Sequence, residues 1–140
     1  MNICIFLKPK STIVTINEKS TVRQALEIME NSGFTALPII SDEGKYIGTL
    51  SEGDLLWYFK SLGVFSIKDA VRVPLTSIKR RRNYYPIRVN EDMSNLLYMS
   101  KKENFIPVID DRDMFIGIIT RQDIIDYFYK SNNIGEKNEK

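Results

Sequence analysis

The spacing of apolar positions passes through one series of patterns twice. Ile13 to Ile16 is a β-branched run that predicts a short strand. Val22, Ala25, Leu26 and Met29 then follow the i, i+3, i+4, i+7 spacing of a helix. Thr21 with Gln24 predicts a capping box at its start, and Gly33 its C-terminal stop. Leu37 to Ile40 predicts a buried strand, Asp42-Glu43-Gly44 a tight turn, Tyr46 to Leu50 a second strand, and Gly53 to Leu62 a helix. The later half predicts strand Ile87 to Val89, helix Met93 to Lys101, strand Phe105 to Ile109, turn Asp110 to Asp113, strand Phe115 to Ile119 and a helix to about Ser131. Between the halves, Phe65 to Ile78 carries a short Ser66-capped helix from Ile67 to Arg72, ahead of Pro74.

The two halves are copies. Residues 38–59 laid over 107–128, at an offset of 69, give 22 pairs with 8 identities. Unrelated sequences would give roughly one or two at typical residue frequencies. The copies differ in one place. Asn17 to Pro38 is 21 positions and Asn90 to Pro107 is 17, so the first helix of copy two lacks one turn and the two clefts should differ in shape. Residues 1–65 form the first repeat. Residues 66–131 hold the linker helix, a basic segment and the second repeat, and 132–140 a polar tail. A β-α-β-β-α unit of this size is marginal alone. The fold class is therefore α/β (α+β), with two such units packed by pseudo-twofold symmetry and their sheets facing each other.

Composition narrows the chemistry. The chain has 140 residues, is 43% hydrophobic and 27% charged, and carries a net charge of only +2, so no overall basic field for nucleic acid exists. With no histidine, imidazole bases and every His-containing triad or metal site are excluded. The single cysteine, Cys4, excludes an internal disulfide, and a small buried hydrophobe is its ordinary role. The longest apolar run near the start, Ile3 to Leu7, is too short for a secretory signal or a membrane span. A cytoplasmic, non-enzymatic protein with no metal and no cofactor is expected.

The informative residues follow the hairpin in each copy. They are Gly48-Thr49-Leu50-Ser51-Glu52-Gly53-Asp54 and Gly117-Ile118-Ile119-Thr120-Arg121-Gln122-Asp123. The plain reading is helix capping, with Ser51 and Thr120 as N-caps and Asp54 and Asp123 favourable at a helix start. Recurrence after a glycine, which lets a ligand approach the backbone, adds a binding reading. The strongest charge cluster is Lys79-Arg80-Arg81-Arg82, just before the first strand of copy two; Lys8 and Lys10 hold the matching place in copy one. It reads as a solvated face, as phosphate coordination at a cleft mouth, or as a small nucleic-acid footprint.

With these residues in view, both copies resemble CBS domains, and the chain resembles a stand-alone CBS pair, or Bateman module, over about residues 6 to 130. The resemblance rests on Leu37-Pro38-Ile39-Ile40, Ile106-Pro107-Val108-Ile109-Asp110 and the two Gly-x-x-Ser/Thr-x-x-Asp segments. It implies a regulatory module that binds adenosyl ligands between its repeats. Asp54 and Asp123 would then hold ribose hydroxyls, and Ser51 and Thr120 would meet phosphate. An ionised aspartate is acceptor-only and suits a cis-diol, while free N–H groups at a helix start suit phosphate. Ile39, Ile40, Val108 and Ile109 either line an adenine slot or pack the core.

Local charge assigns the phosphorylated ligand to the Thr120 and Asp123 cleft, where Arg121 stands opposite the Glu52 of copy one. The ligand expected is AMP, ADP, ATP or a cyclic dinucleotide, sensed without catalysis and signalled to a separate effector protein. Trp57-Tyr58-Phe59 and Tyr127-Phe128-Tyr129 cannot all face inward on a helix, so the helices after each motif are the expected homodimer interface. The alternative is a constitutive interaction scaffold, or a weak nucleic-acid binder, with vestigial clefts.

Overall fold

The structure is a computed structural model that describes residues 1–63 and 67–132. In chain order its elements are β1 (Lys8–Pro9), β2 (Ile16–Asn17), α1 (Val22–Ser32), β3 (Ala36–Ile40), β4 (Tyr46–Ser51), α2 (Glu52–Leu62), α3 (Ile67–Ala70), β5 (Ile87–Arg88), α4 (Met93–Ser100), β6 (Phe105–Ile109), β7 (Phe115–Thr120) and α5 (Arg121–Ser131). The architecture is α+β, with two sheets and the β-α-β-β-α order in each repeat.

In space the chain divides differently from the order of its repeats. One unit holds Val14–Tyr84 with Asp113–Phe115; the other holds Met1–Ile13, Tyr85–Arg112 and Ile116–Lys140. The segment ahead of each repeat's first strand thus belongs to the unit of the other repeat.

In the first-repeat unit the sheet order is β2-β3-β4, with β2 parallel and β4 antiparallel to β3. Ile16, Val22, Ala25, Leu37, Ile39 and Leu50 fill its core. The capping box at Thr21 and Gln24 is formed, and Gly33 takes the left-handed conformation that ends α1. The strand expected over Ile13 to Ile16 starts only at Ile16, because β2 pairs with just Ile39 and Ile40 at the end of β3. The helix expected to Arg72 stops at Ala70. Val71 and Val73 give their carbonyls to the N–H groups of Arg23 and Val22, which open α1 and have no acceptor within it. The expected Ser66 cap lies outside the described residues.

In the second-repeat unit the order is β1-β7-β6-β5, so the N-terminal segment adds an edge strand that pairs antiparallel with β7. Its core joins Ile87, Leu96, Ile106, Val108 and Ile119 to Ile3 and Phe6, which explains the apolar start of the chain. Helix α4 has 8 residues against 11 in α1. The hairpin turns also differ. Gly44 and Asp113 hold matching positive-φ positions, at 88° and 64°, and aspartate is among the few side chains that tolerate this region.

Candidate functional site

Each motif begins where a strand runs directly into a helix. Ser51 is the last residue of β4 and the N-cap of α2. Its Oγ accepts from the Asp54 N–H at 3.1 Å, and Asp54 Oδ2 accepts from the Ser51 N–H at 2.9 Å. Thr120 caps α5 similarly, accepting from the Asp123 N–H at 3.1 Å. The capping reading of both hydroxyls is therefore realised in the folded chain.

The two aspartates then diverge. Asp54 is buried, at 4% exposure, and its Oδ1 accepts a further bond from the Arg81 N–H at 2.9 Å. The Asp123 side chain is 34% exposed and faces Lys8 Nζ at 3.4 Å. The basic segment expected to serve Asp123 thus lies on Asp54, and the lysine ahead of repeat one lies on Asp123. The reason is topological: the glycine that opens each motif is where the other repeat's leading segment lies down. A methyl group at Gly48 would come within 2.7 Å of Arg80 Cζ, whereas one at Gly117 would collide with the Lys8 carbonyl, since β1 pairs there with β7.

Tyr46 holds the far end of the basic segment. Its hydroxyl donates to the Tyr84 carbonyl at 2.8 Å and meets Thr49 Oγ1 at 2.7 Å. Arg80 is half-buried against Gly48, while Lys79, Arg81 and Arg82 are exposed. The Arg81 guanidinium lies 5.0 Å from the Trp57 ring centroid and that of Arg82 lies 5.6 Å from Tyr84. The roles of Trp57 and Lys8 were not legible as roles. Only the spacing of Lys8 and Lys79, each eight residues before a first strand, pointed to Lys8.

Arg121 is turned away from Thr120. Its Nε donates to the Ser100 carbonyl at 2.6 Å and a terminal nitrogen reaches the Lys101 carbonyl at 3.5 Å. These carbonyls close the shortened α4, so the guanidinium supplies donors that a further helical turn would have given. The attraction expected between Arg121 and a phosphate at Thr120 is thus replaced by a helix-capping role. The four apolar strand residues are placed inward to differing degrees. Ile39, Val108 and Ile109 are buried and Ile40 is half-buried, with Ile39 and Val108 inside the two cores.

Comparison with known proteins decides the family. The profile of the CBS domain matches residues 6–61 and again 66–130. The chain belongs to the CBS domain family. It is 26% identical over 118 residues to the cystathionine beta-synthase of Dictyostelium discoideum, covering 84% of this chain and 23% of that protein. It is likewise 26% identical over 115 residues to the inosine-5'-monophosphate dehydrogenase of Methanocaldococcus jannaschii, covering 81% and 21%. The CBS pair therefore spans less than a quarter of these curated relatives. Among solved structures, CbpB in complex with c-di-AMP superposes with a TM-score of 0.83 at 22% identity, over 98% of this chain and 91% of that one. CBSX2 in complex with AMP gives 0.72 at 23%, over 94% and 98%. Among the described residues no helix is long and apolar enough to cross a membrane.

Proposed function

We propose that this CBS pair is a non-catalytic cytoplasmic sensor of an adenine nucleotide, and that its tighter site is built on Ser51, Asp54 and Lys79 to Arg82. One observation carries the reading. A buried carboxylate, a hydroxyl at the start of an eleven-residue helix and two adjacent arginines converge on one motif. Ribose hydroxyls suit the first of these, and phosphate oxygens suit the other two. The solved CBS pairs described with c-di-AMP and with AMP support the ligand class. Thr120 and Asp123, with Lys8 in place of the arginines, form the weaker counterpart. A ligand acts only through a difference in affinity between two states, so signalling to an effector protein requires the basic segment to rest differently with and without phosphate.

A homodimer through α2 and α5 completes the reading. Tyr58, Phe59 and Phe128 pack on the two cores, so the exposed apolar residues are others. Leu56 and Ile125, at matching places in the repeats, are 60% and 55% exposed.

One observation favours the scaffold alternative. Both Asp54 oxygens already accept backbone N–H bonds, which a purely structural role would also produce. Thermal shift with AMP, ADP, ATP and c-di-AMP separates the two, because ligand at 100 times its Kd stabilises by about 2.7 kcal/mol. A rise in Tm with at least one nucleotide is expected. No response to any of them would leave the scaffold.

A further inference from the structure

Trp57 is the only tryptophan of the chain, and it carries two cations. The Arg81 guanidinium lies 5.0 Å and the Lys60 ammonium 5.4 Å from its ring centroid. Among the described residues neither cation is in an ion pair. Two positive charges gathered on one indole repel each other, and the ring face offsets only part of that. An anion between them would satisfy both.

The position of this pair matters. Trp57 follows Asp54 by three residues and Lys60 by six, which along a helix is about 4.5 and 9 Å. Arg81 spans the two places, with its backbone on Asp54 and its side chain on Trp57. The Asp54 carboxylate is thus flanked on both sides. Upstream lie Ser51 and the free N–H groups that open α2; downstream lie Arg81 and Lys60. A ribose held at Asp54 would meet an anion-binding point at each end.

We propose that Lys60 and Arg81 on Trp57 form a second phosphate subsite, and that the ligand is an adenosine carrying phosphate on both its 5′ and 3′ carbons, as in a dinucleotide. This rests on the adenine-nucleotide reading of the Asp54 site. It goes further by separating that ligand class from AMP, ADP and ATP, whose phosphates all leave from one carbon. The polyphosphate chain of ATP would extend on the Ser51 side, away from Lys60.

Calorimetry on the full chain, with AMP, ATP, adenosine 3′,5′-bisphosphate and c-di-AMP as probes, tests this. The wild type should bind the bisphosphate and c-di-AMP at least tenfold more tightly than AMP. Lys60→Gln should remove most of that gain while changing AMP affinity less than twofold. Trp57 emission should respond to the bisphosphate and not to AMP, because only the former draws Arg81 and Lys60 off the ring. Equal losses for AMP and bisphosphate in Lys60→Gln would reduce the pair to a general positive field and overturn the subsite. AMP binding with no preference for the bisphosphate would overturn the subsite alone. No binding of any probe would overturn the adenine-nucleotide reading along with it.

Discussion

The backbone N–H of Arg81 donates to Asp54 Oδ1 at 2.9 Å, so the basic segment is tied to the motif of the first repeat by main chain and not by charge. That bond makes Asp54 both a candidate ribose acceptor and a structural anchor, and the two roles separate by experiment. Asp54→Ala leaves the N–H groups of Ser51 and Arg81 without their acceptor, and a buried unsatisfied group costs about 1–3 kcal/mol. Asp123→Ala loses one partly exposed ion pair with Lys8, worth about 0–1 kcal/mol. Urea melts without ligand should rank Asp54→Ala as clearly the less stable. Calorimetry should then find the tight nucleotide site lost in Asp54→Ala and retained in Asp123→Ala. The opposite pattern of affinities would return the tight site to Thr120 and Asp123.

Arg121 should matter for folding and not for ligand. Arg121→Ala removes the donors on the Ser100 and Lys101 carbonyls that stand in for the missing turn of α4. A hydrogen bond from a charged group is worth about 1.5–3 kcal/mol, and partial exposure lowers this toward about 1 kcal/mol. Nucleotide affinity at either motif should stay within about twofold, since 0.4 kcal/mol is about a factor of two. A stable Arg121→Ala protein with weakened phosphate binding would restore the electrostatic role that its sequence position suggests.

Much of this fold was legible because the duplication doubled each weak signal. Gly-x-x-Ser-x-x-Asp alone reads as a capped helix, and its recurrence in register made it a candidate site. The missing turn of α4 was countable from Asn90 to Pro107, but its consequence was not. Which carbonyls Arg121 would reach depends on how closely α4 and α5 approach, and that distance is a tertiary property. The exchange of leading segments was hidden for the same reason. Lys8 and Lys79 stand at equal distances from their strands, yet nothing local tells a segment which glycine it will cross. Two-residue strands such as β2 and β5 are set by their neighbours, so propensity over Ile13 to Ile16 overstated the first.

The dimer expectation moves from aromatic to aliphatic residues. Leu56→Asp with Ile125→Asp places a charge on each exposed apolar position without touching a core residue. Light scattering should change from a dimer to a particle of 16.3 kDa, with nucleotide affinity per chain little altered. A 16.3 kDa particle already in the wild type at micromolar concentration would remove the dimer from the account.

Acid should weaken the second repeat first at α4. Asp92 caps that helix, and bonds from the Asn95 N–H and the Ser94 hydroxyl hold its carboxyl below the ordinary value of 3.8. A carboxyl depressed in the folded state stabilises fully above its unfolded value, and the contribution is lost as pH falls through the folded one. Asp92→Asn keeps the side-chain acceptor but not the charge, so its stability should fall less than that of the wild type as pH drops below about 4. Parallel acid slopes for the two proteins would assign the loss to other carboxylates.

The two motif glycines give the sharpest contrast, because one substitution at matching positions should have opposite consequences. At Gly48 the added methyl meets the end of the Arg80 side chain, a flexible group that can swing away with little cost to the fold. At Gly117 it meets the Lys8 carbonyl and Leu7, so relief requires β1 to leave β7. Overpacking against atoms that cannot move costs about 1–3 kcal/mol or more. Losing β1 would also loosen Ile3 and Phe6 from the core of the second repeat. Gly117→Ala should therefore lower Tm by several degrees, and hydrogen exchange should show residues 3–9 deprotected. Gly48→Ala should melt close to the wild type yet bind phosphorylated ligands less tightly than adenosine by a wider margin, because Arg80 has lost its seat. Equal melting losses would mean that both leading segments are held as rigidly, and unchanged ligand affinity in Gly48→Ala would remove Arg80 from the site.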